Sequence, residues 1–177
     1  MEDLARRIMR LFANALGLPE ATFDPTINMP ISALRALNYS QQLIPSKPGQ
    51  LRAGAHSDYG SLTILMPQPG HDGLEILAPD GTWRPVPAIA DAFVINIRDL
   101  MARRTDDCWL STLHGVVNPS DLVIAHRRRR SFAFFHQPKW HQEITCLPSC
   151  LKPSEEPKYG QVQSGSYLMS KLQSTVQ

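Results

Sequence analysis

Ala55-His56-Ser57-Asp58-Tyr59-Gly60 is the stretch around which this 177-residue chain is organised. His56 and Asp58 stand two positions apart. On an extended strand that spacing directs both side chains to one face, so an imidazole and a carboxylate lie side by side. Those are two legs of a metal site. His114, in Ser111-Thr112-Leu113-His114, offers a second imidazole from a distant β-like segment. The three together would make a 2-His-1-carboxylate facial triad, which holds Fe(II) by one face and leaves the opposite positions open. The remaining histidines fit this chemistry less well. His71 lies in a Gly-rich loop, His126 precedes an arginine run, and His136 and His141 flank Pro138, so surface or ordinary polar contacts are expected of all four.

A second pair, Arg129 and Ser131 in Arg129-Arg130-Ser131-Phe132, is also two apart, and its face continues through Ala133 and Phe135. A guanidinium fork takes a carboxylate through two parallel hydrogen bonds, and a neighbouring hydroxyl supplies another. A pocket holding both a metal and a dicarboxylate needs such a group, because an unpartnered buried carboxylate is costly. Read alone, the basic run 127–130 would be a solvated stretch. No interleaved aromatics or wider basic face support nucleic-acid binding.

The surrounding chain predicts the scaffold. Short apolar stretches at 61–66, 74–77, 83–86, 92–97, 113–117 and 131–136 are separated by Gly, Pro and Asp. Many short strands of even spacing imply an all-β sandwich or barrel, and an eight-stranded, cupin-like jelly roll (a double-stranded β-helix) suits the count. Asp80-Gly81 between two short strands is a hairpin signal. Residues 32–39 read as a further strand, 46–50 and 118–120 as loops, and 99–105 as a short helix or turn. At the N-terminus, Leu4, Ile8, Leu11, Phe12 and Ala15 recur with helical spacing, and Gly17 is a natural stop. A final short helix is expected over 164–172. The mainly β fold is thus flanked by N- and C-terminal helices. A single domain is expected over 1–177, with a helical lead-in over 1–30, a jelly-roll core over 31–138 and a tail over 139–177.

Composition narrows the setting. Hydrophobic residues make up 42% and the formal net charge is only +2, so neither disorder nor a dedicated polyanion binder is expected. The three cysteines, Cys108, Cys146 and Cys150, form no CxxC motif, which points to reduced thiols and a cytoplasmic setting. No apolar run is long enough to span a bilayer, and the first residues lack the basic and apolar regions of a signal peptide.

Several ordered motifs resemble the isopenicillin N synthase-like family of 2-oxoglutarate/Fe(II)-dependent oxygenases. They are Leu51-Arg52-Ala53-Gly54-Ala55-His56-Ser57-Asp58-Tyr59-Gly60-Ser61-Leu62-Thr63, then Phe93-Val94-Ile95-Asn96-Ile97 and Asp99-Leu100-Met101. Ser111-Thr112-Leu113-His114 and Arg129-Arg130-Ser131-Phe132-Ala133-Phe134-Phe135 follow. Their order and spacing agree with the family, and the similarity runs from about residue 4 to about residue 172. The resemblance implies that His56, Asp58 and His114 ligate Fe(II) and that Arg129 and Ser131 bind the distal carboxylate of 2-oxoglutarate, the co-substrate. Tyr39, in Leu37-Asn38-Tyr39, matches a family tyrosine that contacts the co-substrate. In such enzymes 2-oxoglutarate chelates the iron, O₂ binds, and decarboxylation to succinate and CO₂ drives hydroxylation or desaturation of a small organic substrate. Phe93, Leu113 and Phe135 are expected to keep the pocket dry.

The chain also departs from the family pattern. Met1 stands about where the family's central helix begins, so exposed apolar surface is expected on the barrel flank. Arg98 occupies a position where glycine is usual, and is expected either to strain its turn or to point outward. Gly115 follows His114 where arginine is common, and Arg104 stands where tryptophan is usual, so weaker support for the metal ligand is expected. Two alternatives therefore accompany the main reading. One is an Fe(II) oxidase of the same family that does not use 2-oxoglutarate. The other is a catalytically silent jelly-roll fragment.

Overall fold

The computed structural model describes residues 1–175 apart from positions 45, 48, 72 and 120–125. Pro48 of the expected 46–50 loop and Ser120 of the 118–120 loop lie outside the described residues, as do residues 176 and 177 of the tail. The strands are β1 Ala33–Tyr39, β2 Ala53–His56, β3 Leu62–Pro67, β4 Leu74–Leu77, β5 Trp83–Pro85, β6 Val94–Ile97, β7 His114–Val116, β8 Arg129–His136, β9 Glu143–Ile144 and β10 Val162–Gln163. Two antiparallel four-stranded sheets result, one ordered β1-β8-β3-β6 and the other β2-β7-β4-β5, with β9 and β10 as a separate pair. This is the expected jelly roll.

Each apolar stretch read from the sequence became a strand within a residue or two. Strands β2, β9 and β10 fall outside those stretches, and β2's Ala53-Gly54-Ala55-His56 has no bulky apolar side chain to announce it. The β4–β5 hairpin closes at Asp80-Gly81 as expected. Gly81 takes a positive φ of 81°, and Asp80 accepts hydrogen bonds from the backbone and hydroxyl of Thr82.

Strand β3 is buried on both faces over Leu62–Ile64. Leu62 and Ile64 join Phe134, Met101 and Phe23 in the main core, whereas Thr63 and Leu65 face a cavity between the two sheets. Helix α1 (Glu2–Ala15) covers the core side through Ala5, Met9 and Ala13, with Ile8, Phe12 and Leu16 packed at its margins. The buried stripe is rotated from the expected one, and Leu11 and Ala15 are exposed. Small Ala5 and Ala13 let the helix approach the sheet closely, which periodicity of bulky residues alone does not reveal. Gly17 ends the helix at a φ of 69°. The Gly17 amide donates to the Asn14 carbonyl and the Leu18 amide to Ala13, the paired bonds of a Schellman motif. Helix α2 (Asp99–Arg104) follows β6, and α3 (Ser164–Thr175) closes the chain. No helix among the described residues is long and apolar enough to cross a membrane. Strand β1 is an edge, and Leu34 on it is 63% exposed; Met29, Leu43 and Ile44, before and after it in the chain, are exposed as well.

His136, expected at the surface or in an ordinary polar contact, is instead one of the most buried side chains, at 1% exposure. It ends β8 on the α1 side of the sheet. Burial, aided by the charges of Arg98 and Arg6, lowers its pKa to about 4. Glu2 approaches to 3.9 Å, but that carboxylate is nearly half exposed and does not offset the burial, so the contact is no ion pair at neutral pH. The fold keeps His136 neutral, whereas the unfolded chain takes up a proton near pH 6.5. The resulting stabilisation is therefore fully present above pH 6.5 and is lost as the pH falls toward about 4. It amounts to on the order of 3 kcal/mol, at ~1.4 kcal/mol per pH unit. Urea unfolding of the parent and of His136→Asn between pH 7.5 and 4.5 checks this. The parent's stability should fall more steeply, and parallel slopes would contradict the assignment.

Candidate metal centre

Strands β2 and β7 pair antiparallel with His56 directly opposite His114. Their ring centroids are 4.4 Å apart. Asp58 does not reach them by strand alternation, because β2 ends at His56. The following loop is instead held by the backbone at the start of α2. The Asp99 amide donates to the Asp58 carbonyl at 3.1 Å, and the Leu100 amide to the Gly60 carbonyl at 2.9 Å. Gly60 adopts a φ of 109°, and a Cβ there would run into the Gln137 amide, which itself donates to the Tyr59 carbonyl. Only glycine serves both conditions.

The ligand atoms of His56, Asp58 and His114 lie within 4.8 Å of one another, the one such set among the described residues. The tautomers follow from hydrogen bonding. Nδ1 of His56 lies 2.7 Å from the Gly54 carbonyl, and Nδ1 of His114 lies 3.1 Å from that of Thr112. A carbonyl only accepts, so both Nδ1 atoms carry hydrogen and Nε2 is the nitrogen of each ring that could ligate a cation. Asp58 is oriented by Thr63, whose hydroxyl donates to Oδ2 at 2.6 Å, and by the Asn96 amide at 3.4 Å. Thr63 and Asn96 are cross-strand partners of β3 and β6. Neither was singled out from the sequence. The signal available was their polarity at positions that alternate toward the cavity. One carboxylate and two imidazole Nε2 atoms with open positions suit Fe(II).

Strand β8 alternates as its two-residue spacing predicts, with Arg129, Ser131 and Ala133 buried and Arg130 and Phe132 exposed. Arg129, Ser131, Ala133 and Phe135 line the same cavity of about 290 Å³ as the His-Asp-His set. Tyr39 faces Arg129 across the β1–β8 ladder, with the guanidinium 5.1 Å from the ring centre. The Arg129 Nε donates to the His71 carbonyl at 3.1 Å, which orients its fork. The cavity walls are otherwise mostly aliphatic, including Leu37, Leu65, Ile76 and Val116. All six residues named from the sequence thus meet at one cavity.

Other expectations are corrected. Of the three side chains expected to keep the pocket dry, Phe135 lines it, whereas Phe93 and Leu113 do not and are 45% and 40% exposed. Arg98 neither strains its turn nor points outward. Its φ of −114° and ψ of 171° are ordinary extended values, and the side chain is 3% exposed. Gly115 leaves no gap behind His114, because a Cβ there would stand 3.2 Å from the Ala53 carbonyl. Glycine lets β2 approach β7, and the β2 backbone fills the space that a side chain would occupy. Arg104 is buried with its guanidinium over the Phe23 ring, and burial lowers its pKa to about 10.

A jelly roll carrying two histidines and a carboxylate beside a buried arginine defines a class, the non-haem iron oxygenases. Residues 31–138 match the 2OG-Fe(II) oxygenase superfamily model, and the chain belongs to that family. The resemblance to its isopenicillin N synthase-like members fits. Over 159 residues the chain is 36% identical to the 2-oxoglutarate-Fe(II) type oxidoreductase hxnY of Emericella nidulans, covering 89% of this chain and 44% of that relative. It is 39% identical over 140 residues to the 2-oxoglutarate-dependent dioxygenase tropC of Talaromyces stipitatus, covering 76% and 41%. Among solved structures, a full-length Neurospora crassa protein in complex with alpha-KG and thymine superimposes with a TM-score of 0.91 at 34% identity, covering 98% of this chain and 53% of that one. The chain spans about half the length of the relatives it matches.

Proposed function

We propose that this chain is the catalytic half of an oxygenase that couples oxidation of a small organic substrate to conversion of 2-oxoglutarate and O₂ into succinate and CO₂. His56 Nε2, Asp58 and His114 Nε2 would hold Fe(II), and the iron would supply O₂ activation coupled to decarboxylation. Arg129 and Ser131 would take the distal carboxylate of 2-oxoglutarate, with Tyr39 fixing the guanidinium plane. The free cysteines suit a reducing, cytoplasmic setting. The aliphatic walls would exclude water, which strengthens the charge–charge contacts at both ends of the co-substrate. The observation that carries this reading is the convergence of the His-Asp-His set and the Arg129/Ser131 pair on one cavity. The Neurospora crassa complex, which holds alpha-KG together with thymine, supports a small organic molecule as the second ligand of such a site.

The test is an anaerobic Fe(II) titration with 2-oxoglutarate, watching for the visible charge-transfer band of the chelated pair. A band in the parent that disappears in His56→Ala and Arg129→Ala is expected, followed by succinate formation when O₂ is admitted. An Fe(II) site that assembles without 2-oxoglutarate dependence would favour the oxidase alternative. Absence of any band in folded protein would favour the silent fragment.

A further inference from the structure

Arg35 lies on the cavity side of the sheet but takes no part in the chemistry proposed above. Strand β1 runs in register with β8, and Arg35 stands directly opposite Ala133. Opposed residues of an antiparallel pair share a face. Ala133 lines the cavity, as do Leu37 and Tyr39 further along β1. Arg35 itself is exposed, so it stands at the rim of the cavity and not in its wall. Its guanidinium is 5.7 Å from the centre of the Phe135 ring, which lines the cavity. No carboxylate among the described residues forms a hydrogen bond or ion pair with Arg35.

Phe135 marks the metal end of that face. Thr63 stands opposite it on β3, and the Thr63 hydroxyl donates to Asp58 at 2.6 Å. A second guanidinium, that of Arg98, lies 5.0 Å from the same ring centre. Its Nη1 reaches the His136 carbonyl at 3.5 Å, and its Nε has no hydrogen-bond partner among the described residues. Two guanidiniums against one cavity-lining ring favour an anion there. Arg98 is buried, so Arg35 is the one of the two that a ligand entering from solvent can touch.

The co-substrate does not supply that anion. Arg129 opposes Tyr39, four residues along β1 from Arg35, and four residues of strand span about 13 Å. A glutarate-length diacid held at its far end by Arg129 is too short for this, and Arg35 leans away from Arg129, toward Phe135.

We propose that Arg35 is a substrate-binding residue and that the organic substrate is a small carboxylic acid. Its carboxylate sits on the Arg35 fork at the rim, and its hydrocarbon part passes Phe135 toward the metal centre. The proposal rests on the function proposed above. A guanidinium fork takes a carboxylate through two parallel donors, and Leu37, Leu65 and Val94 offer the hydrocarbon part an apolar wall.

Calorimetric titration of the protein loaded with 2-oxoglutarate and with Co(II), a redox-stable probe, measures this without turnover. The ligands titrated are phenylacetate, cyclohexanecarboxylate and hexanoate, each beside its primary amide. At least one acid is expected to bind the parent about 10-fold or more tighter than its amide, with an affinity that falls as salt is raised. Arg35→Gln should abolish the preference, and Arg35→Lys should keep part of it. Both variants should fold, because Arg35 is exposed, and both should bind 2-oxoglutarate as the parent does. Equal affinity for acid and amide in the parent would overturn the proposal while leaving the co-substrate site intact. So would an acid preference that survives in Arg35→Gln, or no saturable binding of any of the acids. Weakened 2-oxoglutarate binding in Arg35→Gln would overturn it by placing Arg35 in the co-substrate site. A parent that does not load with Co(II) and 2-oxoglutarate would overturn the underlying function and the proposal together.

Discussion

The Asp58→Asn protein is expected to bind Co(II) or Fe(II) more than about 100-fold more weakly than the parent while remaining folded. Losing a group that only supports a ligand typically costs about 10–100-fold, so losing the one anionic ligand costs more. Asparagine keeps the shape and can still accept from Thr63 and Asn96 at its carbonyl oxygen, so the loop held by the Asp99 and Leu100 amides should persist. Thr63→Val provides the graded control. It removes the 2.6 Å hydrogen bond to Oδ2 but leaves all three ligands, and a loss of about 10–100-fold is expected. Calorimetric titration with thermal melting on the same samples separates ligand loss from unfolding. Parent-like affinity in Asp58→Asn would exclude the carboxylate as a ligand.

Arg129→Leu is expected to weaken 2-oxoglutarate binding to the metal-loaded protein by about 100-fold or more. Each hydrogen bond to a charged group contributes about 1.5–3 kcal/mol, and a guanidinium fork offers two to one carboxylate. The loss should be specific to the co-substrate, because Arg129 lies on β8 and Co(II) affinity depends on β2, β7 and the Asp58 loop. Arg129→Lys should recover only part of the affinity, since an ammonium cannot present two parallel donors. Equilibrium binding of 2-oxoglutarate to the Co(II)-loaded proteins measures both. An unchanged affinity in Arg129→Leu would move the co-substrate carboxylate elsewhere and favour the oxidase reading.

These two variants probe opposite ends of one cavity, and the ends differ in how the sequence encodes them. The Arg129/Ser131 end was legible because β8 is regular. A two-residue period put Arg129, Ser131, Ala133 and Phe135 on one face, and the strand obeyed it. The His56/Asp58 pair does lie together with His114, but not by strand alternation, since Asp58 sits beyond the end of β2. His136, expected at the surface or in an ordinary polar contact, is buried because α1 covers the end of β8, which nothing local announces.

The chain's own chemistry determined the donors and the frame. Short apolar runs broken by Gly, Pro and Asp imposed a β sandwich, Gly17 ended α1, and Asp80-Gly81 turned a hairpin, because these depend on local backbone preference and on burial period. Tertiary structure alone decided the rest. The β2–β7 register set His56 against His114, and the α2 amides drew the Asp58 carbonyl into place. The Gly54 and Thr112 carbonyls fixed which imidazole nitrogens face the cavity. Packing on Phe135 turned Arg98 inward, where its Nη1 reaches the His136 carbonyl. Each of these is a contact between segments distant in the chain or a hydrogen bond that exists only once the backbone is in place, and no local propensity encodes it.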